Sequence, residues 1–156
     1  MNFIHRHYRL LLSVWIAFVF IQSLFFKFSG SPETQHIFGI LGEWSGFLWF
    51  GIYGAYIVGV AELVAALLLF SRLQVWGAVL AFEIMCGAIV FHVFTPLGLL
   101  MPVFNENGTI IGDDGGALFI MACLTCASAA ALIVTDWLSE NSQLRSVLPQ
   151  NRVGSR

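Results

Sequence analysis

The chain has 156 residues, of which 58% are hydrophobic and only 10% are charged. This composition excludes an ordinary soluble globular domain. The formal net charge of −2 is less informative than the distribution of the charges, and we expect no nucleic-acid partner. All three cysteines lie inside apolar runs, which excludes the disulfide framework of a small secreted protein.

After a short basic lead, the first apolar run covers residues 8–28. A transmembrane helix needs ~20 apolar residues and the core of a signal peptide only ~7–15, so this run predicts a retained first span. The connector that follows contains a helix start, because Ser31 suits the N-cap and Pro32 suits the first helical position. We expect this short helix to lie on the membrane surface and to end at Gly42.

Two further apolar runs cover residues 47–70 and 75–95, and the tight turn between them predicts an antiparallel pair of spans. Each run carries one carboxylate near its middle, Glu62 in the first and Glu83 in the second. At a rise of ~1.5 Å per residue, both acids lie ~15 Å from the turn, near the midplane of a ~30 Å bilayer core. An ionised acid at that depth costs ~3 kcal/mol, so each is expected to be neutral, paired or beside a wet cavity.

The two acids lie on helical faces of different character. Glu62 shares its stripe with small residues such as Gly59, which let another helix approach closely. Glu83 shares its stripe with Trp76 and Val90, which is typical of a surface that meets lipid or another subunit. We therefore expect Glu62 to point into the bundle and Glu83 to point out of it, which favours a homo-oligomer.

The second long connector, residues 97–116, is predicted to contain a hairpin, since Asn107-Gly108 suits a tight turn between short strands. The fourth span is predicted over residues 117–138. Residues 139–156 are polar and are predicted to form a loose cytoplasmic tail.

The arginines predict the orientation of the chain. They all lie in the N-terminal lead, in the turn between the second and third spans, or in the tail: Arg6, Arg9, Arg72, Arg145, Arg152 and Arg156. Because positive segments stay in the cytoplasm, both termini are predicted to face inside and the two long loops outside. The predicted fold is therefore an all-α membrane protein, a single membrane domain over residues 1–156 that forms an antiparallel four-transmembrane-helix bundle.

Lys27, at the outer end of the first span, and Glu62 are the leading candidates for a site. Three interpretations stay open: Lys27 reaches the interface unpaired, the two residues form a structural ion pair, or they bind a ligand. His92, near the outer end of the third span, is expected to bond to a loop carbonyl, to Asp113 or to Asp114. No second histidine or cysteine lies beside it at ligand spacing, so we predict no metal site.

Asp114 precedes two glycines at the start of the fourth span and suits an anionic helix cap. Gln22, in the outer half of the first span, is expected to bond to a neighbouring helix. Their similar depth groups four polar side chains around one outward-facing pocket for a ligand: Gln22, Lys27, His92 and Asp114. Glu62 lies deeper in the same candidate site.

The secondary candidates are Glu83 and a cysteine pair. Cys123 and Cys126 have CxxC spacing in the fourth span, and one helical turn brings their thiols near each other. A redox dithiol and simple packing among the neighbouring alanines are both open interpretations.

Three segments carry a resemblance to a known family: FFKFSGSPETQHIFGILG at 25–42, GVAELVAALLLF at 59–70, and FHVFTPLG at 91–98 followed by DDGGALFIMA at 113–122. In this order they resemble the DoxX-like family of bacterial membrane proteins. The resemblance implies a four-helix bundle in the bacterial inner membrane. It also implies a link to membrane redox systems, because relatives are associated with a quinone-reducing thiosulfate oxidoreductase and with a complex of superoxide dismutase and a sulfurtransferase.

Three functions follow as hypotheses. The first is an accessory subunit, with no catalytic motif of its own, that binds a quinone or another small apolar ligand in an outward-facing cavity and joins a membrane redox partner. The second is a scaffold whose small-residue faces bind another membrane protein. The third is an oligomeric transporter of a small solute or of protons that uses Glu62 and Glu83.

Overall fold

The computed structural model describes residues 3–105 and 107–147 of the chain. Its helices and strands follow in the order α1 (Phe3–Ser29), α2 (Pro32–Ser45), α3 (Leu48–Leu69), α4 (Gln74–Phe94), β1 (Pro102–Phe104), β2 (Ile110–Asp113), α5 (Ala117–Trp137) and α6 (Gln143–Val147). Within the described ranges, four helices are long and apolar enough to cross a membrane: His7–Ser29 of α1, α3, α4 and α5. The prediction of four apolar spans is confirmed.

The long helices pack against one another through small and medium side chains. α4 packs against α3 and α5, and α1 packs against the same two helices. α3 and α4 approach each other closely at Gly77 of α4, where a Cβ atom would lie 2.7 Å from the backbone nitrogen of Leu69 in α3. The two helix backbones therefore touch, because glycine has no side chain to separate them. The buried core residues are Ile16, Phe20, Ala65, Leu69, Ala78, Ala81, Met85, Ala122, Ala129 and Leu132.

The outer surface of all four long helices is mostly apolar. Large side chains such as Phe25, Leu67, Phe94 and Ile120 are exposed. A water-soluble monomer rarely exposes apolar surface of that extent, whereas hydrocarbon solvates it without cost. The chain is therefore an integral membrane protein that crosses the bilayer several times.

Helix α2 begins where the sequence predicts it to begin. Ser31 is the N-cap, and its hydroxyl oxygen accepts a hydrogen bond from the backbone N–H of Thr34 at 3.2 Å. Pro32 occupies the first helical position, where its missing N–H has no partner to lose.

The end of α2 differs from the prediction. The helix continues past Gly42 and ends at Ser45, and it is followed by Gly46, whose φ of 74° gives the left-handed cap. Gly42 is buried against α3, and a Cβ atom there would lie 2.8 Å from the Cα atom of Gly51. This glycine therefore allows contact between two helix backbones, and it does not terminate the helix.

The connector between α4 and α5 forms the hairpin of β1 and β2, which pair antiparallel with an irregularity between Val103 and Phe104. Phe104 packs against His36 of α2, with ring centroids 5.8 Å apart. The hairpin therefore lies beside α2, on the same end of the bundle.

Residues 139–147, which the sequence assigns to a loose tail, form hydrogen bonds with the rest of the bundle. Ser142 donates its hydroxyl hydrogen to Asp136 at 2.9 Å, and the amide of Gln143 donates to the carbonyl of Arg72 at 2.7 Å. These bonds seat α6 beside the turn between α3 and α4. Residues 148–156, including Arg152 and Arg156, lie outside the described residues.

Candidate functional site

Ser23, Lys27 and Glu62 form one hydrogen-bonded cluster between α1 and α3. The ammonium group of Lys27 donates to both carboxylate oxygens of Glu62, at 2.8 Å each, and to the hydroxyl of Ser23 at 3.0 Å. Ser23 in turn donates to Oε2 of Glu62 at 2.6 Å. Of the three interpretations that the sequence leaves open for Lys27, the unpaired one is wrong, because the residues form an ion pair.

The cluster is buried inside the bundle. The side chain of Glu62 is 3% exposed and that of Lys27 is 15% exposed. Burying two charges costs free energy, which their mutual attraction offsets only when the geometry is close and the remaining donors are satisfied. Both conditions hold here, because all three ammonium hydrogens have oxygen acceptors.

Ser23 is a site residue that the sequence analysis missed. It lies four positions before Lys27, so both side chains project from the same face of α1. A polar residue one turn from an intramembrane lysine is the signal that could have identified it.

The cluster borders a cavity of about 360 Å³ between α1, α2, α3, α4 and α5. Besides Ser23, Lys27 and Glu62, its polar lining residues are Glu83 and His92. Its apolar walls consist of Val19, Phe20, Ile37, Phe38, Leu41, Ile57, Val58, Ala61, Ile84, Met85, Gly87, Ala88, Phe91, Leu97, Leu118, Met121 and Ala122. The cavity is therefore amphipathic, with apolar walls and a few polar groups at fixed positions.

His92, near the end of α4, is buried and bonds to a loop carbonyl, one of the partners that the sequence predicts. Its Nδ1 lies 2.7 Å from the carbonyl oxygen of Gly98, and its ring packs edge-on against Phe119. A carbonyl only accepts hydrogen bonds, so Nδ1 carries the hydrogen and a neutral ring presents Nε2 as an acceptor.

Asp114 lies two residues before Gly116, the N-cap of α5, and its carboxylate binds backbone N–H groups at the start of α5 and in the loop that precedes the hairpin. Its carboxylate accepts hydrogen bonds from the backbone N–H groups of Leu118 at 2.9 Å, Gly116 at 2.9 Å and Met101 at 2.8 Å. Burial opposes ionisation of this carboxyl, but the three N–H donors outweigh that effect and hold its pKa below the ordinary value. Asp114 does not line the cavity.

The remaining polar candidates differ in their position relative to the cavity. Gln22 is exposed on α1 and is not part of the lining, so the predicted grouping holds for Lys27 and His92 but not for Gln22 or Asp114. Glu83 is exposed, as its stripe predicts, and at the same time it is one of the residues that line the cavity.

The cysteines do not pair as their spacing in the sequence indicates. The thiol of Cys126 lies 3.7 Å from the thiol of Cys86, on the neighbouring helix α4. All three cysteines are free and half-buried. The thiol contact therefore joins two helices, and Cys123 is not part of it.

In the part of the chain that the structure describes, no three His, Cys, Asp or Glu side chains lie close enough together to hold a metal ion.

Comparison with protein-family models, with curated proteins and with solved structures finds no match. The resemblance to the DoxX-like family therefore stays a prediction from the quoted segments.

Proposed function

We propose that this protein binds a small apolar molecule of the quinol class, which carries a hydroxyl group at one end. The binding site is the cavity that the five helices α1 to α5 line. The protein binds this molecule as an accessory subunit of a quinone-linked redox system in the bacterial inner membrane. The observation that carries the proposal is the amphipathic cavity, in which apolar walls surround the Ser23–Lys27–Glu62 cluster and His92.

The size and composition of the cavity suit such a molecule. Ligand pockets commonly measure ~300–1,000 Å³ and combine mostly apolar walls with a few placed polar groups. The present cavity, at about 360 Å³, falls at the small end of that range. It accommodates a ring and a short chain, and a longer lipid tail would have to leave between the helices into the bilayer.

The hydrogen-bonding capacity of the lining favours a donor on the ligand. The three hydrogens of Lys27 are already bonded to Ser23 and Glu62, so the lysine has none left to offer. Nε2 of His92 and the spare lone pair on Oε1 of Glu62 are acceptors. A hydroxyl group satisfies either of them, whereas the carbonyl of an oxidised quinone finds no free donor there.

A bound quinol supplies two-electron, two-proton chemistry. In that setting His92 is the residue suited to receive a proton at Nε2, because Nδ1 stays bonded to the carbonyl of Gly98. The Lys27–Glu62 pair keeps the deeper end of the site electrically neutral, which suits an uncharged ligand.

The orientation with both termini inside is part of the proposal, and so is the location in the inner membrane. Support comes from the distribution of charge. Arg72 lies at the turn that α6 contacts, whereas the connectors with Glu33, Asp113 and Asp114 lie at the other end. His92 and the α2 side of the cavity then belong to the outer half of the membrane.

The experiment is a calorimetric titration of the detergent-solubilised protein with a short-chain benzoquinol and with the matching benzoquinone. We expect saturable binding of the quinol, several-fold weaker binding of the quinone, and loss of binding in Ala61→Phe, which fills the cavity. His92→Phe should remove the preference for the quinol. Leu67→Phe, on the exposed face of the same helix as Ala61, is the matched control.

No saturable binding of either compound to folded protein would overturn the proposal. Binding that Ala61→Phe and Leu67→Phe affect equally would also overturn it, because the molecule would then be bound at the lipid-facing surface. The accessory role predicts in addition that a strain lacking the protein oxidises quinol more slowly.

A further inference from the structure

Cys86 and Cys126 form a thiol contact inside the bundle that the cavity-binding function does not use. Their sulfur atoms are 3.7 Å apart, although 40 positions separate the residues in the chain. Both side chains are half-buried and neither takes part in a disulfide. The pair lies near the middle of α4 and α5, at the depth of the hydrocarbon core.

The packing of α4 on α5 produces this contact. Ala81 and Met85 of α4 and Ala122 and Ala129 of α5 belong to the same buried core cluster, and their modest size lets the helices approach closely. Cys126 lies one helical turn beyond Ala122, on the same face of α5. The register between the two helices is therefore fixed by neighbours that are themselves fully packed.

The distance is short enough for a bond to form without separating the helices. A disulfide has sulfurs ~2.05 Å apart, so the two atoms must approach by about 1.7 Å. Rotation of a cysteine side chain about its single χ1 bond moves the sulfur by that order of distance. Cys123, on the same helix as Cys126, is not a partner in this thiol contact.

We propose that Cys86 and Cys126 are a dithiol–disulfide site that a lipid-soluble hydroperoxide oxidises. One sulfur attacks the outer peroxide oxygen, the O–O bond breaks, and the alcohol leaves with a proton as the sulfur becomes a sulfenic acid. The second thiol attacks that sulfur, the S–S bond forms, and the hydroxyl leaves as water with the second thiol proton. One hydroperoxide is reduced to an alcohol and water, and the two thiols supply both electrons.

The location selects the oxidant. A thiol in apolar surroundings stays protonated, which slows its attack on any peroxide. A reagent that partitions into the membrane becomes concentrated around the thiols, whereas a water-soluble oxidant is kept away from them. Lipid hydroperoxides form within the bilayer itself. The resulting bond would join α4 to α5 beside Met85 and Ala122, which both line the cavity. The proposal does not depend on the ligand proposed for that cavity.

The experiment treats the protein in liposomes with cumene hydroperoxide, an apolar probe. The protein is then unfolded, its free thiols are alkylated with a light reagent, the disulfides are reduced, and the released thiols are alkylated with a heavy reagent. Mass spectrometry should find the heavy label on Cys86 and Cys126 and the light label on Cys123. Cys123→Ala should form the disulfide at the unchanged rate, and Cys86→Ser should abolish it.

Two controls keep the result decisive. Non-reducing electrophoresis should show a monomer, which separates a bond within the chain from a cross-link between chains. The same oxidant applied to SDS-unfolded protein shows that the thiols are chemically competent. Light label on all three cysteines of the folded protein, or a bond that joins Cys123 to Cys126, would overturn the proposal.

Discussion

Lys27→Met should be the most destabilising single substitution in the cluster, because it leaves the carboxylate of Glu62 buried without its positive partner. Glu62 is 3% exposed and would keep only the hydroxyl of Ser23 as a donor. Breaking a buried pair by removing one partner typically costs ~3–5 kcal/mol, because an uncompensated charge stays buried. We expect a loss in that range, or protonation of Glu62 as the way in which the protein avoids it.

Glu62→Gln should cost less. Lys27 is 15% exposed and lies in the last turn of α1, so its long side chain can extend toward water when the carboxylate is gone. The amide oxygen of the introduced glutamine still accepts one hydrogen bond. We expect a loss of ~1–3 kcal/mol, which is the cost of a weakened hydrogen bond to a charged group.

The double variant Lys27→Met with Glu62→Met tests the reasoning. Replacing a buried ion pair by apolar residues of similar volume is often neutral or stabilising, so the double variant should recover most of the stability lost in Lys27→Met. The assay is equilibrium unfolding in mixed micelles with increasing SDS, followed by circular dichroism. Gln22→Leu, on the exposed face of α1, is the control and should stay within ~0.5 kcal/mol of the parent protein.

Strict additivity of the two substitutions would refute this account, because residues in one hydrogen-bonded network should couple by ~0.5–3 kcal/mol. A neutral result for Lys27→Met, with Glu62 shown by infrared spectroscopy to remain ionised, would refute it as well.

Two further predictions concern the connectors. Gly42→Ala should lower the free energy of unfolding by ~1–3 kcal/mol, because the new methyl group meets the backbone of α3 at 2.8 Å. Gly39→Ala, on the same helix, is the control, because its methyl group meets nothing within 4 Å. It should be neutral or slightly stabilising in the same SDS assay. Asp114→Asn should cost ~0.3–1 kcal/mol at neutral pH, because it removes a negative charge that interacts favourably with the N-terminus of α5. Because the folded pKa of Asp114 lies below its unfolded value of ~3.9, the carboxylate stabilises the parent protein above that value and loses this effect as the pH falls through the folded pKa. Asp114→Asn should therefore be less sensitive to acid, and equal acid sensitivity in the two proteins would contradict the assignment.

The sequence predicts the spans well because the signal is local. A run of ~20 apolar residues can be stable in a bilayer only as a helix that satisfies its own backbone, whatever surrounds it. The start of α2 is local in the same sense, since Ser31 and Pro32 act within one turn.

The contacts between helices are harder to predict. Glycine at position 42 carries the same local signal whether it ends a helix or touches a neighbouring one, and only the packing on α3 decides between the two. The contact between the cysteines is hard to predict for the same reason. CxxC spacing indicates a pair within one helix, but the contact of Cys126 with Cys86 depends on the register of α4 against α5.

The glycine contacts predict which glycines should be retained in homologues of this chain. At positions 42 and 77 any larger residue meets the main chain of another helix within 3 Å, while positions 39 and 87 face open space. Homologues that keep this architecture should therefore retain glycine at the first two positions and vary freely at the other two. The range of residues accepted at each of the four positions should depend on how close the neighbouring helix backbone lies.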